Sequence, residues 1–193
     1  MLYLVFKELE RISDFRLTAD IAARLYAAIS SDTGGFIYSS VTPDTMRIAA
    51  SLIELGIDFA DINHRLFNSK NPSQIKAEGY AASHVETALG GRIAYAYLPL
   101  CEREAMGLAF QDFETAIDVV RSVRGAEVAI FVRESEKGSF RASLRSTELD
   151  VAEVAKEFDG GGHVHAAGCN PVAGSAKEAA EAIVKSVIEK LTK

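Results

Sequence analysis

Apolar residues in the first 89 positions recur every three or four residues, the spacing of a helix with one buried face. Ile21, Leu25 and Ile29 form one such stripe, and Thr42 followed by Pro43 is typical of a capped helix start. Four helices are therefore expected, beginning at Thr18, Pro43, Asp58 and Ser73, the last running to Leu89. The pattern indicates no strand in this part of the chain.

The pattern changes from helical to alternating at Arg92, which predicts strands. Residues 93–98 alternate as in a strand that is covered on both faces. Two further alternating runs, 128–132 and 140–144, flank a polar turn and indicate a hairpin. Helices are expected over residues 115–123 and after two capping boxes, Asp150 with Glu153 and Ser175 with Glu178.

These elements predict an α/β protein in two parts. A helical piece, residues 1–89, precedes a mixed-sheet α/β domain, residues 90–193, and the boundary falls at Gly90-Gly91. Because the helical piece has no predicted strand, we interpret it as the remnant of a larger domain.

The chain has 193 residues, of which 48% are hydrophobic and 25% charged, as in ordinary globular proteins. Its formal net charge of −6 disfavours a protein that coats long duplexes, but it leaves room for a pocket that grips a few phosphates. The two cysteines are far apart in sequence and predict neither a disulfide framework nor a zinc site. No apolar run is long enough to span a bilayer, and we expect a cytoplasmic protein without membrane association.

Three consecutive glycines, Gly160 to Gly162, precede His163 and follow the helix that begins at Asp150. Such glycines let the backbone approach a ligand and turn its amide groups toward phosphate oxygens, and the imidazole adds a side-chain donor. The simpler interpretation is a helix C-cap followed by a flexible turn, although one glycine suffices for a cap. The residues alone leave both interpretations open.

Arg141, Ser143 and Arg145 are expected on one face of the second hairpin strand, opposite its apolar residues. Two guanidinium groups and a hydroxyl in line, close in sequence to the glycines, suit an anion clamp. The alternative is a solvated strand face, which is the more common reason for a pair of arginines.

Asp32 leaves its helix into the turn Thr33-Gly34-Gly35. An exposed carboxylate beside a backbone that can bend around an ion suits a hard metal. The same tripeptide also makes ordinary turns, and one carboxylate cannot build a metal site.

These segments resemble the DHH-family phosphoesterases, in particular the branch of small oligoribonucleases that also remove phosphate from 3′-phosphoadenosine 5′-phosphate. Order and rough spacing agree across the whole chain, and the glycine-histidine segment is the most specific match. The matching segments are 31–36 (SDTGGF), 38–43 (YSSVTP), 142–146 (ASLRS) and 160–168 (GGGHVHAAG).

The resemblance implies a two-domain enzyme in which aspartates and histidines hold manganese ions that activate water for attack on a phosphate ester. Residues 1–89 would be the C-terminal helical part of a DHH domain with its linker helix, and residues 90–193 the DHH-associated substrate-binding domain. Asp32 would match a metal ligand of the family. The substrate would be held by the residues that match the family's positions, Arg145, Ser146, Gly161, Gly162 and His163, together with Arg141 from the strand pattern. The partners would be short oligoribonucleotides or nucleotide phosphates, and whether two copies form a homodimer stays open.

The Asp-x-Asp and Asp-His-His motifs that family members carry upstream of the Asp32 segment do not occur in the chain. We therefore identify no catalytic residue in it and expect a C-terminal portion that binds nucleotide weakly and hydrolyses it slowly or not at all. Other functions stay open: a related exonuclease, cyclic-dinucleotide phosphodiesterase or polyphosphate hydrolase, a non-catalytic nucleotide- or RNA-binding module, or a structural α/β domain.

Overall fold

The protein forms two compact units, Met1–Lys70 and Asn71–Lys193, in a computed structural model that describes residues 1–38 and 40–192. Ser39, which belongs to the matching segment 38–43, lies outside the described residues. Within residues 1–38 and 40–192, no helix has the length and apolar character needed to cross a membrane.

Unit 1 is helical, as its periodicity predicts. Its helices are α1 (Leu2–Ile12), α2 (Ala19–Asp32), α3 (Pro43–Ile53) and α4 (Phe59–Asn63), the last continued by a π-helical turn, His64–Asn68. The predicted starts are confirmed, because the side chains of Thr18, Thr42 and Asp58 each accept a hydrogen bond from a backbone amide in the first turn. Tyr26 lies in the core of this unit, with its ring centroid 5.7 Å from that of Phe36.

Unit 2 is built on one sheet, and the predicted α/β class is confirmed. Its helices are α5 (Pro72–Ser83), α6 (Leu100–Met106), α7 (Ala116–Arg121), α8 (Val151–Lys156) and α9 (Ala176–Leu191). The strands, in the order β1-β2-β3-β4-β6-β5 across the sheet, are β1 (Glu86–Ala88), β2 (Ile93–Leu98), β3 (Val128–Glu136), β4 (Ser139–Ser146), β5 (Gly161–His163) and β6 (Ala166–Cys169). The pair β2 and β3 is parallel, and the other neighbouring pairs are antiparallel.

Helices cover the two faces of this sheet unequally. On one face, α8 and α9 pack on apolar residues of β2, β3, β4 and β6, including Ile130, Leu144 and Ala167. On the other face, α5 and α7 cover β2 and β3, where Ala94 and Phe131 are fully buried. The same face continues onto β4, β6 and β5 with polar and small residues that stay partly or fully exposed.

The predicted helix over residues 73–89 is too long, because α5 ends at Ser83 and β1 follows. Residues 86–88 pair with β2 instead, and the Tyr95 hydroxyl donates a hydrogen bond of 2.7 Å to Glu86. Sheet pairing thus overrides the local helical pattern, so residues 1–89 do contain a strand.

Helix α5 packs into the core of unit 2, where its residues Ala77, Tyr80 and Ala81 join the cluster around Phe113. The chain therefore divides into its two compact units between Lys70 and Asn71, ahead of Gly90-Gly91, where the residue pattern changes. The assignment of residues 1–89 and 90–193 to two family domains stays a prediction.

Replacing Val151 by alanine should lower the free energy of unfolding of unit 2 by about 2 kcal/mol, because Val151 is fully buried under the sheet. Val172→Ala is the matched control, since Val172 is fully exposed, and it should change stability by less than about 0.5 kcal/mol. Urea denaturation followed by circular dichroism measures both. Equal effects of the two substitutions would contradict the core described here.

Candidate functional site

The glycine-rich segment forms an edge strand, which corrects the interpretation of these residues as a helix C-cap followed by a flexible turn. Gly161 to His163 form β5, the last strand of the sheet, and pair with β6 across a two-residue turn. An edge strand has one side of its backbone paired and offers the amides of its other side to a ligand. The backbone amides of the glycine segment therefore belong to a hydrogen-bonded hairpin.

Two of the three glycines are required by close backbone contact with β6. A Cβ atom at Gly160 would lie 2.2 Å from the carbonyl oxygen of Gly168, and one at Gly162 would lie 2.6 Å from that of Ala166. Gly162 also has φ +149°, which side-chain-bearing residues rarely adopt. At Gly161, by contrast, a Cβ would meet nothing within 4 Å. The fold thus explains Gly160 and Gly162 but not Gly161.

The turn of this hairpin is held by the segment that follows β4. The amide of Ser146 donates to the carbonyl of His165 at 3.1 Å, and that of Val151 to the carbonyl of Val164 at 2.8 Å. The buried Ser146 hydroxyl donates to the carbonyl of Leu149 at 2.5 Å. These bonds fix the hairpin against the start of α8.

Sheet register places Arg145 and His163 on the same face. Arg145 pairs with Ala166 on β6, and Ala166 pairs in turn with His163 on β5. Because neighbouring strands lie about 4.8 Å apart, the two Cα atoms are roughly 10 Å apart, with only an alanine methyl between them. The guanidinium and imidazole groups can therefore reach a single bound group from opposite sides.

The floor between these two side chains is made of small residues. Ser143, Gly168 and Gly161 occupy the next row of the same face, one on each of β4, β6 and β5. Arg145 is half-buried and donates to the carbonyl of Leu144 at 2.9 Å, and it forms no ion pair with any residue that the structure describes. We call this strip of the sheet face, bordered by Arg145 and His163 and made otherwise of small residues, the trough.

The remaining predicted site residues lie elsewhere. Arg141 is exposed on the same face as Arg145, farther along β4. Ser146 is buried on the opposite face, where its hydroxyl is bonded to Leu149 and lies 3.3 Å from the Nδ1 atom of His165. The structure therefore brings Arg145, Gly161 and His163 together, with Ser146 as a support for the hairpin.

Asp32 is the last residue of α2 in unit 1, and its side chain is exposed. The turn after it is ordered by the buried Thr33, whose hydroxyl donates to the carbonyl of Ile29 at 2.6 Å. No group of three or more histidine, cysteine or acidic side chains that could hold a metal ion occurs among the described residues. Asp32 can therefore offer one ligand, and the residues described do not by themselves fit a manganese site.

Sequence reasoning missed two features of this face. The first is strand β6, which brings the small residues Ala166 and Gly168 to this face. The second is Arg133 at the end of the apolar run of β3, which is buried on the same face as Arg141 and Arg145. The sequence did carry a signal for Arg133, because this charged residue directly follows the apolar run 128–132.

Comparison with known families identifies the part of the chain that contains the glycine-histidine hairpin. The sequence profile of the DHHA1 domain matches residues 81–193, more than half of the chain. The chain belongs to the DHHA1 family. The resemblance to the C-terminal portion of DHH-family phosphoesterases is thereby confirmed, and the DHHA1 match contains every element of the trough.

Relatives of this DHHA1 protein are longer than the chain. A Thermus thermophilus protein named bifunctional oligoribonuclease and PAP phosphatase NrnA is 32% identical over 188 residues, covering 97% of the chain and 56% of that protein. A Streptococcus mutans protein named probable bifunctional oligoribonuclease and PAP phosphatase NrnA is 34% identical over 171 residues, covering 83% and 53%. The crystal structure of an exopolyphosphatase-related protein from Bacteroides fragilis superposes with a TM-score of 0.85 at 28% identity, over 97% of the chain and 55% of that structure. The chain spans about half the length of the curated relatives it matches.

Alanine substitution should separate the glycines of the DHHA1 hairpin by their steric surroundings. Gly160→Ala and Gly162→Ala should each lower the free energy of unfolding by roughly 1–3 kcal/mol, because the new methyl group meets backbone atoms of β6. Gly161→Ala is the internal control and should unfold like the parent protein. Thermal unfolding of the three variants measures this, and an unfolding temperature for Gly161→Ala as low as for the other two would refute the geometry.

Proposed function

We propose that this chain is the substrate-binding portion of a phosphoesterase that hydrolyses short oligoribonucleotides and nucleotide phosphates such as 3′-phosphoadenosine 5′-phosphate. The observation that carries the proposal is the row formed by Arg145, Ala166 and His163 on the exposed sheet face. The names of the Thermus and Streptococcus relatives support the substrate class.

Each part of the trough has a role in this proposal. Arg145 binds a phosphate group through its planar fork of donors, which matches phosphate oxygens two at a time. His163 donates a further hydrogen bond from the opposite side, and amides on the open side of β5 complete the shell of donors. The small residues Gly161 and Gly168 leave space for the sugar and base to lie close to the sheet.

Hydrolysis requires groups that this trough does not contain. Manganese ions, the metal implied by the family resemblance, would activate water for attack on phosphorus in the complete enzyme. Asp32 is proposed as one ligand, and no group of three or more histidine, cysteine or acidic side chains that could complete the set occurs among the described residues. The function proposed for the chain itself is therefore binding and orientation of the substrate.

Binding of 3′-phosphoadenosine 5′-phosphate to the purified chain, measured by isothermal titration calorimetry, tests the site. Arg145→Gln and His163→Ala should each weaken binding roughly tenfold, because each removes a charge-assisted or side-chain donor to phosphate. Both side chains are partly or fully exposed, so the variants should fold normally.

Lys156→Gln is the matched control for the loss of one positive charge. Lys156 is an exposed residue of α8, which packs on the opposite sheet face, and its substitution should leave the dissociation constant unchanged. If Lys156→Gln weakens binding as much as Arg145→Gln, the effect is one of net charge and the proposed site is wrong. Unchanged binding in His163→Ala would instead favour a structural α/β domain.

The purified chain should release little or no mononucleotide from a short RNA when manganese is added. The physical reason is that water activation needs several metal ligands, of which the chain supplies Asp32. A chromatographic assay of a labelled trinucleotide measures this, with a full-length relative as the positive control. Manganese-dependent release of mononucleotide at a rate normal for an enzyme would contradict the proposal that the chain binds substrate without hydrolysing it.

A further inference from the structure

Arg133 is a buried cation that forms no ion pair with the residues that the structure describes. Its side chain on β3 is 7% exposed, and its guanidinium lies 4.4 Å from the centroid of the Phe110 ring. One nitrogen donates to the carbonyl of Phe110 at 3.4 Å, whereas the buried Nε atom has no hydrogen-bond partner in the part of the chain described. Burial lowers the pKa of Arg133, Glu114 raises it and the positive charge of Arg141 lowers it further.

Such an arrangement costs folding free energy. Buried charges are normally paired, and an apolar residue of similar size is often as stable or more stable at the same position. The ring of Phe110 offsets part of this cost through a cation–π contact. Stability alone therefore does not account for an arginine here.

Arg141 adds a second cation directly opposite the first. The two residues are register partners on β3 and β4, so their side chains leave the same face of the sheet. Like charges in directly opposed positions are destabilising in a sheet. Arg141 is exposed, and neither it nor Arg133 forms an ion pair within the described residues. An anion bound between them would relieve the repulsion.

Arg133 and Arg141 lie farther along the sheet than the trough residue Arg145. Arg141 precedes Arg145 by four residues on β4, which corresponds to about 14 Å along a strand, and Ser143 lies between them on the same face. Side chains that stand upright from the sheet keep this separation, so the two arginines would contact different phosphate groups. A hollow of about 470 Å³ opens beside Arg141, lined by the β3–β4 turn, including Glu136, and by residues 170–172.

We propose that Arg133 and Arg141 form a second phosphate subsite, which binds a phosphate of an oligoribonucleotide farther along the strand than the one held at Arg145 and His163. The inference rests on the proposed function and deepens it. Arg141 contacts the phosphate, and Arg133 is a positioning residue whose fixed charge strengthens the field at that point. Oligonucleotides occupy both subsites, and a mononucleotide occupies only the first.

The test compares two ligands on the same chain. Dissociation constants for 3′-phosphoadenosine 5′-phosphate and for the 5′-phosphorylated trinucleotide of adenosine are measured for the parent protein, Arg141→Gln, Arg133→Met and Lys156→Gln. Arg141→Gln and Arg133→Met should weaken trinucleotide binding about tenfold while changing mononucleotide binding less than about twofold. The control Lys156→Gln should change neither.

Thermal unfolding separates the proposed role of Arg133 from a structural one. Arg133→Met should unfold at the same or a higher temperature than the parent protein while binding the trinucleotide less tightly, since a buried unpaired charge is replaced by an apolar side chain. Arg133→Lys, which keeps the charge, should recover part of the trinucleotide affinity.

Three results would overturn the second subsite: equal losses for both ligands, no loss for the trinucleotide, or no difference between Arg133→Lys and Arg133→Met in binding. If Arg133→Met does not fold, the comparison of Arg141→Gln with the parent protein decides in the same way. Failure of the proposed function has a different signature, because the parent protein then binds neither ligand.

Discussion

The close approach of the β5 backbone to β6 is the constraint on which the candidate site depends. With no side chain at Gly160 or Gly162, β5 lies against β6 at distances that a Cβ atom would forbid. This contact closes the sheet with a short strand and carries His163 to the row of Arg145. The backbone hydrogen bonds from Ser146 and Val151 to the hairpin turn then hold the hairpin backbone against the segment that follows β4.

The charge on this sheet face is positive, whereas the net charge of the whole chain is negative. The formal net charge is −6, yet Arg133, Arg141 and Arg145 occupy one face of two neighbouring strands with no ion-pair partner among the described residues. Local concentration of positive charge in an acidic protein favours small anionic ligands over long duplexes, because the remaining surface repels an extended polyanion. Arg133 and Arg141 are directly opposed, and such a pair of like charges is destabilising in a sheet.

Several conclusions could be drawn from residues alone because they depend on local interactions. The helix starts at Thr18, Thr42 and Asp58 follow from side chains that bond to the next turn of the same helix, and the β3–β4 hairpin follows from alternation around a polar turn. Membership of the DHHA1 family also rests on contiguous motifs that need no tertiary contact to be read. The helix predicted over 73–89 was too long because β1 depends on a non-local interaction, its pairing with β2.

The sequence by itself therefore determined the fold class, the helix caps and the residue types of the site, because spacing and chain neighbours encode them. Only the tertiary structure decided that the glycines form an edge strand, that Arg145 faces His163, and that the Ser146 hydroxyl turns inward to Leu149. The burial of Arg133 beneath Phe110 was likewise beyond the sequence. The physical reason is that strand order and register are set by contacts between segments far apart in the chain, and a shift of one residue moves a side chain to the other face.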